Sequence, residues 1–109
     1  MTNNFCQFWL TCTNKEEADK IANTLLVKHL VACAKQIPIT ADYWWQGKIE
    51  HADEVLLVME SRSDLCDQVE REVAKLHSYD TFVLESLPIE QLSLKAKGWF
   101  KDELSNGKT

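Results

Sequence analysis

The order of hydrophobic and polar positions along this 109-residue chain predicts strands and helices that alternate without a linker. The aromatic-rich run Phe5–Cys12 is typical of a strand. Asn14 and Glu17 follow it in a capping-box pattern, after which apolar residues recur at helical spacing. Two further apolar runs, Val31–Ile39 and Glu54–Glu60, predict the second and third strands.

The second half of the chain predicts another helix, a fourth strand and a shorter third helix. Ser63 begins the second helix in this prediction. Its inward apolar stripe consists of Leu65, Val69, Val73 and Leu76. Thr81–Leu87 predicts the fourth strand, which ends at Pro88 because proline cannot donate to a strand ladder. Gln91–Leu104 predicts the last helix, weakened by Gly98.

This order predicts a single α+β domain over residues 1–109, with a ferredoxin-like βαββαβ fold and a C-terminal helix. Such a sheet carries both main helices on one face, so its other face should alternate with polar residues where it meets water. The third predicted strand is instead apolar on both sides, with Val55, Leu57 and Met59 on one side and Leu56 and Val58 on the other. We therefore expect self-association to bury the second face.

Three consecutive aromatic residues, Tyr43, Trp44 and Trp45, precede a turn signal at Gln46 and Gly47. Successive side chains of a strand point to opposite faces, so one aromatic face needs a cover from outside the segment. A stacking platform for a ligand or for single-stranded nucleic acid usually includes interleaved basic residues, which are missing here. Packing between subunits is the favoured interpretation.

Composition and charge exclude several classes of partner. The chain has 17 acidic against 12 basic residues, a balance that argues against nucleic-acid binding. Neither a membrane span nor a signal peptide is evident, which predicts a cytoplasmic protein. The four cysteines form no C-x-x-C pair, and buried free thiols are favoured over two disulfides.

Several segments together resemble the CutA proteins, the divalent-cation tolerance family, over nearly the whole chain. These segments are Thr11-Cys12-Thr13, Leu30-Val31-Ala32-Cys33, Tyr43 to Glu50, His77-Ser78-Tyr79-Asp80, Leu87-Pro88 and Trp99. The resemblance implies a long β2–β3 hairpin and a compact homotrimer whose architecture is similar to that of the PII signal-transduction proteins. It places Tyr43, Trp44, Trp45 and Trp99 at the trimer interface.

The resemblance also implies a soft-metal site with Cys12 and His77 as ligands. Thiolate and imidazole suit copper and zinc, so the site would bind copper or another divalent metal ion weakly, and no cofactor is required. The family's third ligand, a glutamate, aligns with Val83, and Asp80 and Glu85 lie off that register. The alternatives are a packed thiol at Cys12 and, for His77, a role in capping the end of its helix.

No catalytic motif is present, and three glycines are too few for a phosphate-binding loop. The sequence therefore predicts a non-enzymatic, cytoplasmic, CutA-like homotrimer that acts in divalent-metal, and specifically copper, tolerance. The alternative function is a PII-like signalling or scaffold trimer that binds a small ligand or a partner protein between subunits. Lys48, Tyr79 and His77 would line that inter-subunit cleft. A purely structural trimer is a third possibility.

Overall fold

A four-stranded antiparallel sheet carries the helices on one of its faces. The computed structural model describes residues 4–105. In chain order the elements are β1 (Phe5–Cys12), α1 (Lys15–Val27), β2 (Cys33–Trp45), β3 (Lys48–Arg62), a 3-10 turn (Ser63–Leu65), α2 (Cys66–Leu76), β4 (Leu84–Pro88) and α3 (Leu94–Glu103). The strand order is β2-β3-β1-β4, which confirms the predicted ferredoxin-like α+β fold.

The predicted start of α1 is confirmed. The Asn14 side chain accepts a hydrogen bond from the Glu17 amide at 2.8 Å, which satisfies one of the free amides at the helix end. The apolar residues of α1 then pack on the helix-facing side of β1. The core on that side includes Cys6, Phe8, Leu10, Cys12, Ala18, Ile21 and Leu25. No helix within residues 4–105 is long and apolar enough to cross a membrane.

The long β2–β3 hairpin implied by the family resemblance is present, and its strands are longer than the apolar runs alone indicate. Its strands pair without interruption from Cys33 opposite Glu60 to Trp45 opposite Lys48. The predicted end of the second strand at Ile39, next to Pro38, is wrong, because β2 lies at the sheet edge, where a proline needs no partner for its missing N–H. Two residues of positive φ, Gln46 at 51° and Gly47 at 80°, close the hairpin.

Residues 39–54, which we call the arm, extend beyond the rest of the sheet. The pairing of β1 with β3 ends at Cys12 opposite Val55, so no third strand of the described chain lies beside the arm. Trp44 and Ile49 face each other across the arm and are 72% and 54% exposed. One subunit therefore leaves the aromatic segment largely uncovered.

Three other predicted boundaries differ from the structure. A 3-10 turn precedes α2, so the α-helix begins at Cys66 instead of Ser63. The fourth strand begins at Leu84 and includes Pro88, which is tolerated because β4 is the other edge strand. The last helix is shorter than predicted and continues through Gly98, where an added Cβ would find open space.

The sheet face opposite the helices, which we call the open face, carries a polar network at one end. It contains Gln7, Trp9 and Thr11 of β1, Leu56, Val58 and Glu60 of β3, and Lys35 of β2. The Glu60 carboxylate accepts hydrogen bonds from Lys35 Nζ at 3.0 Å and from Gln7 Nε2 at 3.2 Å. Trp9 in turn donates to Gln7 at 3.0 Å. The expectation of an apolar second face is therefore corrected at this end.

The buried position of Glu60 makes Lys35 important for stability. Glu60 is only 6% exposed, and its Oε1 atom has no hydrogen-bond partner among the described residues. We expect Lys35→Met to lower the free energy of unfolding by about 1–3 kcal/mol, because a buried carboxylate then loses its cation. Adding Glu60→Leu should recover most of this loss, because both polar partners are then absent.

Urea denaturation at one fixed protein concentration measures both effects. Lys20→Met, on the exposed side of α1, is the matched control and should change stability little. A Lys35→Met variant as stable as the wild-type protein would contradict this account of Glu60.

Candidate metal centre

Three side chains from separate elements meet beside the end of β1. Cys12 is the last residue of β1, Glu17 lies in the first turn of α1, and His77 follows the last residue of α2. One potential ligand atom from each residue lies within 4.8 Å of the others. The structure therefore brings together the predicted pair, Cys12 and His77, and adds a carboxylate.

The capping interaction of α1 orients Glu17. Its carboxylate accepts hydrogen bonds from the Thr13 amide at 2.8 Å and the Thr13 hydroxyl at 3.0 Å. The amide of Ser78, which follows α2, donates to the same carboxylate at 2.7 Å. Burial raises the pKa of Glu17, but these hydrogen bonds from Thr13 and Ser78 outweigh it, so the net pKa is lowered. Glu17 is thus a carboxylate at neutral pH.

The His77 ring is held by two backbone groups. Its Nε2 atom lies 2.8 Å from the Thr11 carbonyl oxygen, and its Nδ1 atom accepts the Tyr79 amide at 3.1 Å. A carbonyl can only accept and an amide can only donate, so the neutral ring carries its proton on Nε2. The His77 side chain is fully buried, and its ring stacks on Phe82 with centroids 5.4 Å apart.

The capping role considered for His77 differs from the observed one. Within residues 4–105 the ring hydrogen bonds reach β1 and the segment after α2, and not the last carbonyls of α2. His77 Nε2 also lies 3.7 Å from Glu17 Oε1. The ring therefore connects the end of α2 to the beginning of α1.

Cys12 lies in the core with no exposed surface. Burial raises the pKa of Cys12 to about 12, and the nearby carboxylates of Glu17 and Glu54 add to this effect. The residue is a thiol at neutral pH, so the packed-thiol interpretation describes it well in the absence of metal. A metal ion bound there must displace the thiol proton.

Glu17 is the member of the cluster that the sequence interpretation missed. Val83, at the family's glutamate position, is 55% exposed, and neither Asp80 nor Glu85 joins the cluster. The sequence pattern indicates only helix capping for Glu17. The capping box was nevertheless a signal, because a capping glutamate turns back toward the residues that precede the helix, and here these are Cys12 and Thr13.

The donor set fits a transition metal. One sulfur, one imidazole nitrogen and one carboxylate oxygen are the ligand types that zinc and copper sites use. The protonation states fit less closely, because Cys12 is a thiol and the His77 Nε2 atom carries a proton. Binding is therefore expected to compete with the internal hydrogen bonds of these residues.

The proposed cleft residues lie in two places. Tyr79 is 40% exposed and its hydroxyl donates to Glu54 at 3.4 Å. Burial raises the pKa of Tyr79 to about 12, together with its contacts with Tyr43 and Glu54. Lys48 lies at the far end of the arm, roughly 20 Å along β3 from Glu54 at about 3.4 Å per residue. One chain does not bring Lys48 to Tyr79.

The residues predicted for the trimer interface are accessible in one subunit. Trp45 and Trp99 are about half exposed, and Trp44 is more exposed than either. Tyr43 is partly buried. All four cysteines are free thiols, as predicted. The two other histidines lie outside the cluster: His51 pairs with Asp42 on the arm, and His29 bonds the Glu103 carbonyl.

Comparison with known proteins relates this geometry to one family. A model of the CutA1 divalent ion tolerance protein family matches residues 6–103. The divalent-cation tolerance protein CutA of Archaeoglobus fulgidus is 41% identical over 83 residues, which cover 76% of this chain and 81% of that protein. Its counterpart in Pyrococcus horikoshii is 32% identical over 95 residues, covering 87% and 93%.

Solved structures agree with the sequence comparison. One, described as the periplasmic divalent cation tolerance protein CutA from Archaeoglobus fulgidus, superposes with a TM-score of 0.90 at 35% identity. The superposition covers 93% of this chain and 99% of the other. The fold and the order of elements are therefore shared along nearly the whole length.

The lowered pKa of Glu17 predicts how its contribution to stability depends on pH. A carboxylate whose pKa is lower in the folded state stabilises the fold fully when the pH is above its ordinary pKa of 4.5. This stabilisation is lost as the pH falls through the folded-state pKa. We expect Glu17→Gln to lower the free energy of unfolding at pH 7 by about 1–3 kcal/mol. The difference from wild type should shrink below about pH 4.

Denaturation across pH 3–8 tests this, with Glu16→Gln as the matched control because Glu16 is exposed in the same helical turn. A loss of stability that is the same at every pH would contradict the assigned role of the Glu17 charge.

Proposed function

The chain belongs to the CutA1 divalent ion tolerance family, and on this basis we propose that it binds copper or zinc through Cys12, Glu17 and His77. The observation that supports the proposal is the convergence of three different ligand types within 4.8 Å at the end of β1. A thiolate favours copper(I) and zinc over magnesium or calcium, which prefer oxygen ligands.

The proposed activity is metal binding without catalysis. The Cys12 and His77 side chains have no exposed surface, and burial raises the pKa of the Cys12 thiol, which makes it a poor nucleophile. Bound metal would be withdrawn from solution, which is a direct way to contribute to tolerance of an excess ion. The protein would need no resident cofactor.

We place the protein in the cytoplasm, because four free thiols persist best in a reducing compartment. The Archaeoglobus fulgidus relative, in contrast, is described as periplasmic. Copper in a reducing compartment is copper(I), for which thiolate is a preferred ligand. The proposed compartment and the proposed metal therefore support each other.

We further propose that the protein is a homotrimer in which the arm packs on a neighbouring subunit. Exposed tryptophan side chains on an unsupported two-stranded arm are unfavourable in a monomer. An isolated hairpin is only marginally stable in water, and exposed apolar patches tend to associate. Ile37, which lies on the open face opposite Leu56, is also 45% exposed. Tyr43, Trp44, Trp45 and Trp99 would form part of the interface.

Metal titration of the reduced protein tests the proposed site. We expect Cys12→Ala, His77→Gln and Glu17→Gln each to weaken zinc and copper(I) affinity by about tenfold or more, because each removes a ligand. The matched controls Cys66→Ala, His51→Gln and Glu16→Gln replace the same residue types outside the cluster. Equal affinity in the ligand variants and the controls would refute the assignment.

Light scattering during gel filtration tests the assembly. We expect a mass of three times the 12.6 kDa protomer at micromolar concentration. Trp44→Ala combined with Trp45→Ala should shift the mass toward the monomer, because truncation removes large buried areas at the interface. Val27→Ala, an exposed apolar residue at the end of α1, is the control. A folded wild-type monomer would refute the trimer.

A further inference from the structure

The contacts of His77 impose a requirement on metal binding that the three ligands alone do not reveal. The Thr11 carbonyl accepts the Nε2 proton, and the Tyr79 amide occupies the lone pair of Nδ1. A neutral imidazole has one lone pair in the ring plane that can bind either a proton donor or a metal ion. In this structure, that lone pair is already used.

Ligation through either ring nitrogen therefore breaks the same hydrogen bond. A metal ion on Nδ1 replaces the Tyr79 amide directly. A metal ion on Nε2, the nitrogen 3.7 Å from Glu17, requires the ring proton to move through solvent to Nδ1. The Nδ1–H group then faces the Tyr79 N–H group, and two donors repel each other.

Glu17 places no such requirement on its partners. A carboxylate oxygen has two lone pairs, so it can bind a metal ion while it still accepts an amide. The bond from the Ser78 amide to Glu17 Oε2 can therefore persist in the metal-bound state. Within the segment after α2, the disruption is therefore confined to Tyr79, the residue that follows Ser78.

Tyr79 connects this event to the surface. Besides its amide bond to His77, Tyr79 is held by ring contact with His77, with centroids 5.4 Å apart, and by the hydrogen bond of its hydroxyl to Glu54. Glu54 is buried, whereas Tyr79 is 40% exposed. A peptide group that turns away from Nδ1 moves its side chain away from Glu54.

We propose that metal binding at His77 releases Tyr79 from His77 and Glu54, so that occupancy of the buried site changes the exposed segment after α2. This inference rests on the proposed metal site and adds a conformational consequence to it. The segment would be closed without metal and released with metal. The position of the released Tyr79 side chain would therefore distinguish the surface of the metal-bound protein from that of the metal-free protein.

Residue-resolved amide exchange in the reduced, zinc-titrated protein tests the proposal, since zinc is diamagnetic and redox-inactive. We expect exchange of the Tyr79 amide to rise at least about tenfold when zinc binds, as expected for loss of a hydrogen bond. The Ser78 amide and the His77 amide, which bonds the Val73 carbonyl at 2.8 Å, are internal controls and should keep their protection.

Tyr79→Phe provides a second measurement. It removes the hydroxyl that closes the segment on Glu54, so opening becomes easier and zinc affinity should rise about twofold to tenfold. A merely structural role of Tyr79 would leave zinc affinity unchanged or lower it. Either of those results would overturn the inference.

The outcomes separate the inference from the proposed function. Zinc binding that depends on Cys12 but leaves the Tyr79 amide protected would overturn the inference and leave the metal site intact. Zinc affinity that is the same in wild type and Cys12→Ala would overturn the proposed site and the inference with it.

Discussion

The Glu17 carboxylate joins two parts of the chain that are distant in sequence, and the arrangement of the site depends on this connection. It bonds Thr13, before α1, and Ser78, which is 61 residues away after α2. A buried carboxylate needs such partners, because an unpaired one would be costly to remove from water. By satisfying this need, the fold holds the end of α2 against the end of β1. His77 and Cys12 are neighbours as a result.

The same constraint explains why the candidate metal centre is closed without metal. Each ligand group is satisfied internally: Glu17 by amides, His77 by two backbone groups, and Cys12 by its proton. A site arranged in this way is stable when empty and must exchange internal bonds for metal bonds. We expect weak binding from this exchange, and the proposed coupling between the ligands and Tyr79 has the same origin.

The arm and the open face are packed differently from the sheet face that the helices cover. In the body of the sheet the helices cover one face completely, whereas the arm extends past them with tryptophan exposed. On the open face, Glu60 and Lys35 introduce charge where an apolar surface would otherwise be expected. Buried ion pairs contribute little net stability but penalise partners that leave them unpaired. In the proposed trimer, this network is therefore suited to selecting how a neighbouring subunit packs.

Local sequence patterns determined the α+β class and the order of elements, through hydrophobic periods of two and 3.6, and the start of α1, through its capping box. The motif around Tyr43–Lys48 and His77–Tyr79 indicated the family, which the comparisons confirmed. The apolar run did not predict the continuation of β2 beyond Ile39, since only the assembled sheet makes that strand an edge that tolerates Pro38. Likewise, the sequence pattern indicates only a capping role for Glu17, because its contact with the end of α2 exists only in the folded chain. Which polar side chains share a site depends on long-range packing, and only the tertiary structure decided that.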